Sequence, residues 1–183
     1  MQDKKRIQAK IVEEMIKIGK DISNFSTYSC KPKTREELRN IISERIKKKG
    51  HKCNLNDIDT SLIDDMSSLF AYTDFNGDIS EWNTSNVITM FRMFEDSSFN
   101  GDISRWDVSN VENMNGMFAG SSFNGDISNW NTSKVRDMAV MFSDSVFNQD
   151  ISKWDTSSMK IAVFMFIKCK IKEEFKPKSL QRC

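Results

Sequence analysis

Asp78, Asp102, Asp126 and Asp150 recur every 24 residues, each followed two positions later by a serine: Ser80, Ser104, Ser128 and Ser152. A row of carboxylates and hydroxyls is the oxygen-rich chemistry that takes up a hard cation such as calcium, which wants six to eight oxygens. The spacing of these pairs is not that of a known calcium loop. Carboxylates about 4.8 Å apart would repel by only about 1 kcal/mol in water. The expectation is a solvated ladder that bonds turn amides and the neighbouring serines, with a calcium role as the alternative. Asn76, Asn100, Asn124 and Asn148 repeat at the same step and are expected to satisfy backbone groups from unit to unit.

Nothing else in the chain is spaced for catalysis. The one histidine, His51, has no nucleophile set beside it by any motif. Cys30, Cys53, Cys169 and Cys183 form no C-x-x-C pair and no metal-ligand spacing, and are expected to be reduced thiols. A phosphate-cradling glycine loop is absent from the sequence. The expectation is a protein with no catalytic residues, no metal and no cofactor.

The elements behind these rows are repeats. "FNGDISEWNTSNVITMFRMF" begins at Phe75 and "FNGDISRWDVSNVENMNGMF" at Phe99. Phenylalanines 75, 99, 123 and 147 open successive units. Trp82, Trp106, Trp130 and Trp154 share one slot, and Met93, Met117, Met141 and Met165 share another. A degenerate leading unit starts near Cys53, with Leu55, Ile58, Met66, Leu69 and Phe70 in register. Such repetition means that each copy is a coil and the stack is the product.

Within a unit, Val-x-x-Met-x-x-Met-Phe reads as the apolar stripe of a two-turn helix. Ser85, Ser109, Ser133 and Ser157 are placed to cap it, with Ser109 and Glu112 forming a capping box. "GDIS" reads as a very short strand. The expected fold is therefore an α/β solenoid, a leucine-rich-repeat-like stack of short-strand plus short-helix coils with an N-terminal two-helix cap. The expected segments are a cap over residues 1–50, a five-unit array over 51–166, and a basic tail over 167–183.

The pattern "FNxDISxWDTSNVxxMxxMF" resembles the BspA-like leucine-rich-repeat surface proteins of bacteria, in their short-repeat subtype. The leading "KPKTREELRNIISERI" is similar to the segment that precedes such arrays. The resemblance implies a secreted or lipid-anchored protein that binds host molecules.

The ends differ from the body. Residues 1–50 carry fourteen Lys and Arg against seven Asp and Glu, residues 51–166 seven against seventeen, and residues 167–183 six against two. The cap is read as two helices, the first with Ile7, Ile11, Met15 and Ile18 as its stripe. The second is opened by Thr34 and Glu37, faces the core with Leu38, Ile41, Ile42 and Ile46, and stops at Gly50. In the last unit Ile161, Val163, Phe164 and Ile167 replace mostly polar residues. They are expected either to lie under a tail carrying Ile171, Phe175 and Leu180 or to form an interface, including a homodimer through this coil.

Internal copies can be compared with one another. The residue before each tryptophan reads Glu81, Arg105, Asn129 and Lys153, and the residue after it reads Asn83, Asp107, Asn131 and Asp155. These eight are the candidate partner-binding side chains. The chain starts with charges throughout and has no apolar run of membrane length, so a cytoplasmic location without membrane contact is expected. The leading functional expectation is a non-catalytic protein-protein interaction module. One concrete version is a small inhibitor carried by a phage or mobile element that occupies a bacterial defence nuclease. The alternatives are a surface adhesin fragment or exported effector, and nucleic-acid binding through the basic N-terminal helices.

Overall fold

Apolar residues three apart can be buried in two ways. A helix does it with N–H groups bonded four residues back, and a chain of β-turns does it with bonds three residues back. In the computed structural model, which describes residues 28–181, the repeats take the second way. The unit opened by Phe99 closes four turns in series, with a fifth bond, Ala119 N–H to Gly116 O at 3.1 Å, overlapping the last two. Trp106 N–H bonds Ile103 O, Val111 bonds Val108, Met117 bonds Met114 and Ser121 bonds Phe118, at 2.9–3.2 Å. Each bond joins positions one turn apart, which puts the apolar residues at turn ends pointing inward.

The last two turns need a left-handed residue at their third position, as a type II turn does. Gly116 (φ 63°) and Gly120 (φ 64°) supply it in this unit. Arg92, Asp96, Val140 and Asp144 hold the same two positions in neighbouring units, at φ between 48° and 54°.

Four other N–H groups of a coil reach forward to the next one, while a few reach back, as Glu112 N–H does to Ile88 O at 2.8 Å. Met90 donates to Asn113 O, Arg92 to Asn115 O, Phe94 to Met117 O and Asp96 to Ala119 O, at 2.8–2.9 Å. The same four bonds recur in each pair of coils from Met66 to Ile167. Asp65, Thr89, Asn113, Asp137 and Ile161 form a line of single-residue parallel bridges. The amide that would lengthen a bridge into a strand bonds the side chain two residues back instead, as Asn115 N–H does to Asn113 Oδ1 at 2.9 Å and Ala139 N–H to Asp137 Oδ1 at 2.9 Å.

The expected α/β leucine-rich-repeat-like solenoid is therefore not what forms. Among the described residues there is one α-helix, two single-turn 3₁₀ helices and no extended strand. "GDIS" opens a turn at Ile79 rather than a strand. The serines expected to cap helices have no helix to cap. The N–H of Ser85 bonds Asn83 Oδ1 at 3.1 Å, and that of Ser109 bonds Asp107 Oδ1 at 3.0 Å, both closing Asx turns. Glu112 pairs with Arg136 of the following unit at 3.0 Å rather than completing a capping box.

The interior is a set of aromatic columns. Trp82 and Trp106 lie 6.3 Å apart and 2° from parallel, as do Trp130 and Trp154 at 6.3 Å and 7°. Between them Phe94 stacks on Phe99 at 4.5 Å and Phe118 on Phe123 at 4.4 Å. Each indole N–H is buried and must find an acceptor. Trp106 Nε1 donates to Ile79 O at 3.1 Å and Trp130 Nε1 to Ile103 O at 3.2 Å, so the tryptophans also tie adjacent coils together.

The N-terminal end is covered by α1 (Arg35–Lys49). Thr34 Oγ1 accepts the Glu37 N–H at 3.2 Å, while the Glu37 carboxylate takes the N–H of Lys33 at 2.6 Å, one residue ahead of the usual capping-box partner. Leu38 and Ile42 are buried against the first coil, Ile41 and Ile46 partly so, and Gly50 (φ 81°) ends the helix. The cap thus contains one helix among the described residues rather than two. The other expected helix, with Ile7, Ile11, Met15 and Ile18, lies outside them.

At the far end the tail turns back over part of the last coil through the single turns Glu173–Phe175 and Lys178–Leu180. Ile171 is buried, Phe175 O accepts the Ile151 N–H at 2.9 Å, and Lys176 sits over the Phe166 ring at 5.4 Å.

Candidate interaction surface

Stacking at a fixed step turns every slot of the repeat into a row, and the outward rows are where chemistry is available. Glu81, Arg105, Asn129 and Lys153 are all exposed, one per coil, and run along one face of the stack. Their charges alternate in sign or vanish, so the row is a mixed pattern rather than a uniform stripe. A shallow depression of about 240 Å³ opens beside the last of them, lined by Asp126, Ser128, Gln149, Asp150 and Lys153.

The row after the tryptophans is exposed too but has a different job. Asn83, Asp107, Asn131 and Asp155 each accept the backbone N–H of the serine two residues on, at 2.9–3.2 Å. An oxygen at that place closes the turn, so Asn and Asp interchange there without changing the geometry.

The aspartate ladder is built the same way. Asp102 Oδ1 accepts the Ser104 N–H at 2.9 Å and its hydroxyl at 2.7 Å, and Asp126 and Asp150 accept the matching N–H groups at 2.9 Å. The backbone N–H and hydroxyl of Ser104 hold the Asp102 carboxyl below the ordinary aspartate range. The Ser152 hydroxyl and N–H do the same for Asp150. At Asp78 burial pushes upward, but bonds from Ser80 and from asparagine side chains outweigh it and the carboxyl is again lowered. Beside this ladder each asparagine carbonyl accepts the N–H one coil on, Asn76 from Asn100 at 3.0 Å and Asn100 from Asn124 at 2.8 Å. Among the described residues no three His, Cys, Asp or Glu side chains converge.

The remaining groups with reactive potential are scattered. His51 is exposed near the end of α1. Cys53 is buried, which pushes its thiol upward and away from reactivity. Cys30 and Cys169 are also free thiols, and Cys169 rests 3.5 Å from the Ser145 hydroxyl.

In the last coil Val163 and Phe164 are 59% and 67% exposed, with Ile161 and Ile167 at 45% each. The tail bonds Ile151 and Thr156 on one side and leaves these four exposed. A feature the residue pattern did not announce lies with them. The N–H groups of Ala162, Phe164, Phe166 and Lys168 occupy the slots that reach forward in every earlier coil, and here they bond no described residue.

The family model described as "Mycoplasma protein of unknown function, DUF285" matches residues 37–145 and again 99–176. The chain belongs to this family. The two overlapping matches place the DUF285 pattern on α1, the coils and the start of the tail, the same residues that make the turn-built stack. Membership agrees with the BspA-like resemblance at family level. No curated protein and no solved structure gives a significant match. No helix among the described residues is long and apolar enough to cross a membrane.

Proposed function

We propose that this DUF285 chain is a non-catalytic protein-binding module, of the short-repeat BspA-like kind. The observation that carries the reading is the division of labour between slots. The core, Asx and asparagine rows are committed to bonds inside or between coils. The row Glu81, Arg105, Asn129 and Lys153 is exposed and differs in charge from copy to copy. A rigid scaffold that varies its outward side chains while holding its core is what recognition of another protein needs. A single row on four coils is a small surface beside the roughly 800 Å² per partner of a standard interface. A tight partner therefore engages an end of the stack as well.

The test is capture of the tagged chain from its native cells, fractionated into cytoplasm, envelope and medium, followed by charge reversal. Arg105→Glu with Lys153→Glu is expected to weaken a stoichiometric partner at least tenfold while leaving the melting temperature unchanged. A partner held equally well by the reversed protein would overturn the assignment of this face. Recovery with nucleic acid in a steeply salt-dependent complex would replace the reading with the basic-helix alternative.

A further inference from the structure

The last coil differs from all the others in what its forward edge lacks. Elsewhere four N–H groups per coil are taken by four carbonyls of the next, as Met138, Val140, Phe142 and Asp144 are by Ile161, Val163, Met165 and Ile167 at 2.8–3.0 Å. At Ala162, Phe164, Phe166 and Lys168 the row repeats with no following coil. The carbonyls of Ala162, Phe164 and Phe166 are used in turns, accepting from Met165, Ile167 and Cys169. The edge therefore presents four open donors and one open acceptor, Lys160 O, in the slot where Arg136 O accepts the Lys160 and Ile161 N–H groups. It is also apolar, through Ile161, Val163, Phe164 and Ile167, and flanked by Lys160 and Lys168.

Three properties of an occupant follow. It must bring backbone carbonyls, since donors cannot pair with donors. It must be turned rather than extended. A β-turn holds its first and fourth Cα atoms within about 7 Å, whereas an extended chain covers roughly 10 Å over the same three steps, so a straight strand drifts out of register along the row. It must be acidic where it meets Lys160. Inside the stack that slot pairs Arg136 with Glu112 at 3.0 Å, and Lys160 has no carboxylate partner among the described residues.

A second copy seated through the same end fails the first and third conditions, because it brings N–H groups and lysines. A second copy seated head to tail meets α1, whose Arg35 already takes Ser67 O at 3.1 Å on the first coil.

Resting on the binding-module reading, we propose that the open half of the last coil docks one acidic, apolar coil of another polypeptide as the next rung of the stack. A ready mimic is a synthetic peptide with the sequence of residues 59–74. It carries Asp59, Asp64, Asp65 and Asp74 with no Lys or Arg, and Leu69 and Phe70 at the core slots. In the stack its Asp64 would face Lys160.

The experiment follows amide hydrogen exchange of the full chain by NMR, with and without this peptide at millimolar concentration and with a scrambled peptide of equal composition. The ordered peptide is expected to slow exchange at Ala162, Phe164, Phe166 and Lys168 at least tenfold, and the scrambled one is not. Lys160→Glu, on an exposed side chain, is expected to weaken the protection at least fivefold. Equal protection by both peptides, or none by either, overturns the proposal. Protection that grows with protein concentration alone overturns it in favour of a self-interface. Protection present at all dilutions and lost on removing residues 1–27 overturns it in favour of the chain's own leading segment. If the peptide fails while a captured partner still depends on Arg105 and Lys153, the end site falls and the module reading stands.

Discussion

Gly116→Ala separates a stack of turns from a stack of helices by the sign of its effect. In a helix, alanine is favoured over glycine by about 0.5–1 kcal/mol, so the variant would be more stable. In this fold Gly116 is the left-handed third residue of a turn, at φ 63°. An L side chain there costs about 1–2 kcal/mol, offset by about 0.4–1 kcal/mol because alanine has less freedom to lose on folding. The new methyl would also stand 3.1 Å from Arg92 Cγ, a side chain long enough to give way. The net expectation is a loss of about 1 kcal/mol, or about 2–4 °C for a chain of this length. Gly120→Ala is expected to lose more, since its methyl would overlap the Asp96 carboxylate of the preceding coil. Val140 is the reverse case, a β-branched residue held at φ 49° in the same slot as Gly116. Val140→Asn should be stabilising by a few tenths of a kcal/mol or more, because asparagine tolerates that region. Urea unfolding followed by tryptophan fluorescence measures all three, with unchanged slopes required for the comparison. A stabilised Gly116→Ala variant would refute the turn assignment.

Trp106→Phe removes the indole bond to Ile79 O but leaves that carbonyl the N–H of Trp82 at 3.2 Å. With one net hydrogen bond lost, about 0.5–1.5 kcal/mol, and a cavity where the larger ring was, a loss of about 2–3 kcal/mol is expected by urea unfolding; a loss under about 0.5 kcal/mol would contradict the inter-coil tie. The lowered aspartates set the acid limb: with folded values below the ordinary value of about 3.9, their stabilisation is complete above that value and is lost as pH falls through the folded values. Asp102→Asn with Asp126→Asn keeps both Asx acceptors but not their charge, so stability at pH 7 should fall slightly and the decline below about pH 4 should be shallower; a parallel decline would show that these carboxylates do not contribute to it.

The repeat register was readable because each core slot recurs with the same residue, and the structure buries those slots in every full coil from Phe75 to Trp154. The local conformation is not legible in the same way, because spacing by three serves helices and serial turns alike. The deciding signals were short polar residues two positions ahead of a bonded amide. Asp78 to Ser80, Asn83 to Ser85 and Asn113 to Asn115 are all Asx closures. Ser97 to Phe99 and Ser121 to Phe123 are the serine equivalent. A helix interior disfavours such residues, which compete for its backbone, and several closures per 24 residues leave it no room. Left-handed positions were visible only at Gly116 and Gly120. Arg92 and Val140 carry no mark of it, since the stack and not their own preference holds them there.

The candidate surface divides along the same line. Glu81, Arg105, Asn129 and Lys153 were identifiable because internal copies differ while the tryptophan beside them does not. Asn83, Asp107, Asn131 and Asp155 looked variable by the same test, yet Asn and Asp offer the turn one and the same acceptor, so variation in charge there is not variation in role. The apolar character of Ile161, Val163, Phe164 and Ile167 was plain in the residue types. What makes that end more than a greasy patch is direction: along this row four amides of each coil donate forward while one carbonyl accepts from the next coil, so the row has a mainly donor end and a mainly acceptor end. The acceptor end is under α1, with Arg35 on Ser67 O. The donor end is covered over one half and open over the other, and polarity of this kind depends on which way each amide points, a property that no residue letter carries.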